Sequence, residues 1–297
     1  TAVHFIDLQK KTNDLVMGTH GRGVIIIDDI SPLRQINQDV LAKKVHFFDV
    51  KPGIHTEQSG FGGGSTEMQF VGPNSSDNVK LIYYLKKKHI FGKMNIKVYD
   101  ANDKVLTELA PGKSKGINIV TWNGLMKQPK LAKGKTLAFG GLTSPRVPAG
   151  DYKVVMTKGK ETFETKVTIQ NDPNSGISDA ERKENYNATM KLYNMSEELA
   201  YMVYELDEML VKATEVKKAG GKKVAAPLVA ELNALKETLV VTTGDNYVAS
   251  AEPELRERMG DLYSNVASSY DRVSGAHKAN YELISGEYTE AKERYAA

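Results

Sequence analysis

The chain reads as a mixed α+β protein of several domains, and three observations predict that class. Short β-branched runs broken by glycines open it. Alternating apolar and polar residues fill its middle. Apolar residues at spacings of three and four dominate from about residue 173 onward. These changes of period divide it into residues 1–50, 51–172 and 173–297. A length of 297 residues suits about two domains of the usual ~100–200 residues. A hydrophobic fraction of 40% and a charged fraction of 26% are ordinary for a soluble globular chain.

The first region turns on one stretch, Asp14 to Arg34. Leu15–Gly18 and Val24–Ile27 read as short strands, and Thr19-His-Gly-Arg-Gly23 is the turn between them, with glycines to supply positive φ. Two or three strands cannot bury both faces of Val24, Ile25, Ile26 and Ile27. The expectation is therefore that the chain begins inside a parent protein. The Val24–Ile27 edge would then pair with chain outside this sequence. Ser31-Pro-Leu-Arg34 looks like a turn into a short helical stretch, Val45–Val50 like a strand, and Pro52-Gly53 like its end. Ser59–Ser65 is rich in glycine and reads as a flexible connection.

The middle reads as a β-sandwich. Its expected strands are Glu67–Val71, Val79–Leu85, Met94–Asp100, Gly116–Trp122, Asp151–Lys158 and Thr162–Gln170. Alternation in Asn95–Tyr99 and Lys166–Ile169 fits strands with one face in a core and one in water. Trp122, the only tryptophan, is read as a core anchor rather than a sugar platform. Residues 123–148 are too long and too basic for a simple turn and are expected to form a long loop at one end of the sandwich.

The period then becomes helical. Ser178-Asp-Ala-Glu181 is a capping box, in which the serine hydroxyl takes the Glu181 amide and the glutamate reaches back. A helix to about Ala219 carries a stripe of Leu192, Met195, Leu199, Met202, Leu206 and Met209. Gly220-Gly221 ends it. A second helix is expected over about 226–240, and a third from Pro253, bent near Ser274-Gly275. Together they predict an antiparallel three-helix bundle with methionine as core filler.

The chemical inventory is sparse. A net charge of +3 with interleaved signs gives no field for nucleic acid, and Lys86-Lys-Lys88 reads as a solvated strand end. The absence of cysteine excludes disulfides, thiol catalysis and Cys-based zinc sites. No run approaches the ~18 apolar residues of a membrane span. None of the six histidines has metal-ligand spacing. His20, in the glycine turn beside Arg22, is the one candidate contact, a donor pair for an anion or carboxylate. Asp28-Asp29 are neighbours on a strand end and point to opposite faces, which is the wrong geometry for a glycosidase pair. Gly60–Thr66 lacks the lysine of a phosphate loop, and no nucleophile elbow occurs. No catalytic residue, metal site or cofactor is assigned.

Asp14-Leu-Val-Met-Gly-Thr-His-Gly-Arg-Gly23 followed by Ile27-Asp-Asp-Ile-Ser-Pro-Leu-Arg34 resembles the last propeller blade of the large bacterial BNR-repeat glycosyl hydrolase proteins, which are similar to sortilin-type and sialidase-type propellers. Val71-Gly-Pro-Asn, Leu81–Leu85, Val98–Lys104, Gly116–Asn123 and Val147–Tyr152 are similar to the immunoglobulin-like module that follows that propeller, and Glu254–Tyr263 resembles the family's C-terminal helical segment. The resemblance implies a partial β-propeller blade, an immunoglobulin-like β-sandwich and a helical bundle. It further implies a bacterial parent that is periplasmic, outer-membrane-associated or secreted. Residues 1–50 would meet the upstream propeller or a protein partner, and a glycan is a further implied ligand. The Asp-box pattern and a sialidase arginine cluster do not occur in the chain, so its implied role is non-catalytic binding or structural support at the cell envelope. The alternative is an accessory part of a sialidase-like glycoside hydrolase whose active site lies upstream. Tyrosines such as Tyr201, Tyr204, Tyr281 and Tyr288 give a third reading, a bundle docked into an envelope complex.

Overall fold

The computed structural model describes residues 1–56, 78–244, 251–269 and 272–296. The fold is mixed α+β, with several small sheets, one of them a curled half-barrel, and a C-terminal helical region. It divides into two units, residues 1–124 with 149–172 and residues 125–148 with 173–297.

The first unit opens with an antiparallel three-stranded sheet in the order β1 (Val3–Gln9), β2 (Asp14–Thr19), β3 (Val24–Ile27). The expected hairpin thus gains a strand in front. Asn13, at φ 63°, closes the β1–β2 turn, a left-handed position that asparagine tolerates. Gly21 and Gly23 take φ 85° and 66° in the β2–β3 turn, as the glycine pattern requires. Two short helices follow, α1 (Ser31–Gln35) and α2 (Gln38–Ala42). Asn37 caps α2 by accepting the Val40 amide.

Two further sheets complete this unit. One has the order β4 (Val45–Phe47), β6 (Val79–Leu85), β9 (Gly116–Trp122). The other has the order β5 (Gly53–His55), β11 (Glu161–Asn171), β10 (Gly150–Lys158), β7 (Met94–Tyr99), β8 (Val105–Leu109). β7 alternates buried and half-buried residues, so Met94, Ile96 and Val98 enter the core. Trp122 is buried and meets the Tyr152 ring edge-on at 5.5 Å, the core role expected of it. Tyr83 is buried too, and its hydroxyl donates to the Gly112 carbonyl at 2.6 Å. β5 pairs parallel with β11, and β8 pairs with β7; neither was expected. The expected strand Glu67–Val71 and the glycine stretch at 60–66 lie outside the described residues.

The second unit contains α3 (Asp179–Lys218), α4 (Lys222–Leu239), α5 (Leu255–Ser268) and α6 (Gly275–Ala296). The Ser178–Glu181 capping box is formed in both directions. The third expected helix is two helices, because the chain leaves helical geometry after Ser268 and restarts at Gly275. Leu192, Leu199, Met202, Leu206, Leu239, Met259, Leu262, Tyr263 and Tyr288 share one core. Met209, expected in the stripe, is instead exposed, as are Tyr201 and Tyr204.

Residues 125–148 are the main correction. They are not a loop of the β-rich unit but part of the helical one. The stretch folds on itself through a Leu125–Arg146 bridge and a Met126 amide to Pro145 carbonyl bond of 2.8 Å. It meets α5 through backbone. A Cβ on Gly140 would lie 2.9 Å from the Gly260 Cα, so two glycines let the main chains touch. The Tyr263 hydroxyl donates to the Thr143 carbonyl at 3.0 Å, and the Lys135 amide donates to Val241 at 2.8 Å. Arg256 and Glu257, consecutive on α5, are both buried against Thr136. The Thr136 hydroxyl donates to Glu257 at 2.7 Å, and Arg256 donates to the Thr136 carbonyl at 3.1 Å. Those bonds replace water at Arg256 Nη1 and Glu257 Oε1, while Arg256 Nε and Glu257 Oε2 stay buried without a hydrogen-bond partner, so the cost of burying the charge pair is only partly offset.

Candidate functional site

The β1–β3 sheet is the feature that departs furthest from a self-contained fold. Its register is well set: Leu15 opposite Ile27, Val16 opposite Ile26, Met17 opposite Ile25 and Gly18 opposite Val24. Successive side chains on a strand point to opposite faces. Yet Val24, Ile25, Ile26 and Ile27 are 65%, 38%, 57% and 42% exposed, so neither face of β3 is covered. On β1, Val3, Phe5 and Ile6 are exposed as well. An apolar sheet open on both faces is what interfaces are made of, and what isolated sheets avoid. β3 also borders the sheet, so its outer row of amides and carbonyls has no strand to meet among the described residues.

A polar network holds the base of this sheet. The Asp14 carboxylate accepts from the Asp29 amide at 2.9 Å and from the Thr12 hydroxyl at 2.5 Å. Asp29 sits at φ 45° and accepts from the Ser31 amide and hydroxyl, and Asn13 donates to the same hydroxyl at 2.9 Å. Lys51 reaches Asp29 at 3.0 Å and the Thr12 carbonyl at 2.8 Å. The Thr12 hydroxyl, the Asp29 amide and Lys51 hold the Asp14 carboxyl below its ordinary range. Burial pushes the Asp29 carboxyl up, but the donors from Ser31 and Lys51 outweigh it and hold that group down too. Both aspartates are thus committed as acceptors at the sheet's root. Asp28 turns elsewhere, to Lys80 at 3.6 Å, so the adjacent pair diverges.

His20 and Arg22 lie exposed at the β2–β3 turn. The His20 amide donates to the Ala2 carbonyl at 3.0 Å, and its ring lies 5.6 Å from the ring of His4. Cross-strand pairing brings the two histidines together, which sequence spacing does not show. The Arg22 side chain has no hydrogen bond or ion pair among the described residues, so the turn offers a free guanidinium to solvent. No group of three or more histidine, aspartate or glutamate side chains is arranged to hold a metal among the described residues. No described helix is long and apolar enough to cross a membrane.

Compared with models of known protein families, the chain matches none, and no curated protein matches it.

Proposed function

We propose that this chain is a non-catalytic binding and structural region of a large exported propeller protein, and that β1–β3 are strands of one of its blades. The single observation behind this reading is the apolar β3 strand, open on both faces and along one edge. Propeller blades are four-stranded sheets whose faces are covered by neighbouring blades. A three-stranded antiparallel sheet with greasy faces, bordered by β1 and β3 with no further strand on either among the described residues, suits a blade awaiting a fourth strand and two neighbours. The Asp14–Asp29–Ser31 network supports this use, because it fixes the sheet to the chain that follows without needing anything on either face. In this reading the two remaining sheets form an immunoglobulin-like sandwich and the helices an antiparallel bundle. The parent works in the periplasm, on the outer membrane or outside the cell, where the sandwich and bundle meet proteins or glycans.

Antibody raised against this chain and used on its native cells tests the reading directly. The expected band is far heavier than 32.7 kDa, and a native product of 32.7 kDa removes the parent. Hydrogen exchange then locates the contact. The outward amides of Val24–Ile27 exchange fast in the isolated chain and slowly in the longer protein. Glycan hydrolysis assayed on both separates the accessory-hydrolase reading. Turnover by the isolated chain contradicts the non-catalytic assignment.

A further inference from the structure

The β-rich unit carries, at one end, an apolar point set in a basic collar. The loop between β6 and β7 reads Lys86-Lys-Lys-His-Ile-Phe-Gly-Lys93. Ile90 is 68% and Phe91 86% exposed, the latter the most exposed of the large apolar residues described. Gly92, at φ 87°, turns the chain immediately after them, and the His89 ring bonds the Gly92 carbonyl at 3.2 Å. The turn is therefore built, and the two apolar side chains project from it.

Three neighbouring segments converge on this loop through backbone bonds. The His89 amide donates to the Lys113 carbonyl at 2.9 Å, which sets Lys113 and Lys115 beside it. The Gly159 amide donates to the Lys93 carbonyl at 3.0 Å, which adds the β10–β11 turn with Lys158 and Lys160. The Lys86 amide donates to the Lys44 carbonyl at 3.1 Å. The one carboxylate among these four segments is Glu161, already paired with Lys44 at 2.6 Å. Lys87, Lys88, Lys93 and Lys113 have no acidic partner among the described residues.

Lysines at strand ends also serve to keep sheets apart, and that alone accounts for a basic rim. It does not account for Ile90 and Phe91, whose apolar surface is left in water at a cost in free energy. A nucleic acid or acidic glycan uses the cations but has no use for an isoleucine at the tip. A lipid surface uses both. Lysines near an anionic headgroup layer are each attracted to it, and apolar side chains gain by entering the acyl boundary.

We propose that this end of the β-rich unit is a peripheral docking surface for an anionic lipid bilayer, with Ile90 and Phe91 entering the interface and the surrounding lysines lying on the headgroups. It lies on the surface and does not span.

Co-sedimentation of the full chain with phosphatidylcholine vesicles, and with vesicles holding about one-third phosphatidylglycerol, tests it. Binding is expected to the anionic vesicles alone and to fall at least tenfold when salt shortens the screening length to about 3 Å. The Ile90→Ser/Phe91→Ser variant is expected to lose about tenfold or more, as is Lys87→Glu/Lys88→Glu. All four positions are exposed, so unchanged thermal melts show that folding is intact. Phe91→Trp adds a second readout, a blue shift and quenching by brominated lipid on binding. No binding at low salt overturns the proposal. So does binding indifferent to Ile90→Ser/Phe91→Ser, or an oligonucleotide held equally well by that variant, since each makes the tip idle.

Discussion

The β1–β3 sheet and the 125–148 stretch are of similar length and opposite construction. The first is regular secondary structure with a full hydrogen-bond register and no covered face. The second has one isolated bridge and a single 3-10 turn at Phe139–Leu142, yet its residues Ala132, Thr136, Ala138 and Val147 are buried. Regular backbone is therefore a poor guide to which part of this protein is held firmly. Burial decides it: ordering a residue costs roughly 1–2 kcal/mol of backbone entropy, and only removal of apolar surface from water offsets that.

The contrast predicts unequal responses to mutation. The largest loss is expected from Tyr263→Ala, which removes a fully buried ring and its bond to Thr143, at about 3–5 kcal/mol by urea denaturation. A change under 1 kcal/mol would mean that 125–148 is not anchored through this ring. Glu257→Ala is expected to cost about 3 kcal/mol, because it leaves Arg256 buried without its counter-charge. Replacing both residues by apolar ones of similar volume should recover most of that loss, and failure to recover would show that the Thr136 bonds carry the effect.

Effects in the sheet should be smaller and depend on pH. Asp14 and Asp29 are held below the ordinary carboxylate range in the fold. Their contribution is therefore complete above the unfolded value near 3.8 and is lost as pH falls through the lower folded values. Exchange of the Asp29 and Ser31 amides, followed from pH 6 downward, should speed beyond the intrinsic trend only below that value. Acceleration near neutrality would assign the protection to other groups. Asp29→Ala is expected to cost about 2 kcal/mol, through its lost bonds to Ser31 and Lys51 and through the left-handed φ of 45° that alanine tolerates less well. Smallest of all, Ile26→Thr should change the stability of the isolated chain by less than about 0.5 kcal/mol, since the side chain is 57% exposed. If β1–β3 belong to a blade as proposed, the same variant should weaken assembly of such a parent, and a large melt shift in the isolated chain would show that β3 is already covered.

What the sequence made legible was local. The capping box at Ser178, the glycine turn at 19–23 and the alternation of Asn95–Tyr99 are each set by residues a few positions apart. β1 carries only a weak local signal, because His4, Asp7 and Gln9 interrupt its apolar pattern and its turn uses Asn13 in place of glycine. β5 is three residues whose partner, β11, lies far along the chain, so no nearby signal marks it. The 125–148 stretch announced by its length that it was no simple turn, but its partners on α5 are likewise distant. The clue available was glycine, since Gly134 and Gly140 sit where Arg256 and Gly260 leave no room for a Cβ. The candidate surface followed the same rule: four β-branched residues at 24–27 spoke for themselves, whereas His4 beside His20 needed the strand register.

The interleaving of the two units has a consequence in time. On the ribosome, residues 125–148 emerge well before α5, the helix whose Gly260 and Tyr263 receive them. At roughly 5–20 residues per second that interval is on the order of ten seconds, during which the stretch hangs from a half-made β unit as a tether without a mooring. Synthesis order therefore makes the helical unit the last to close.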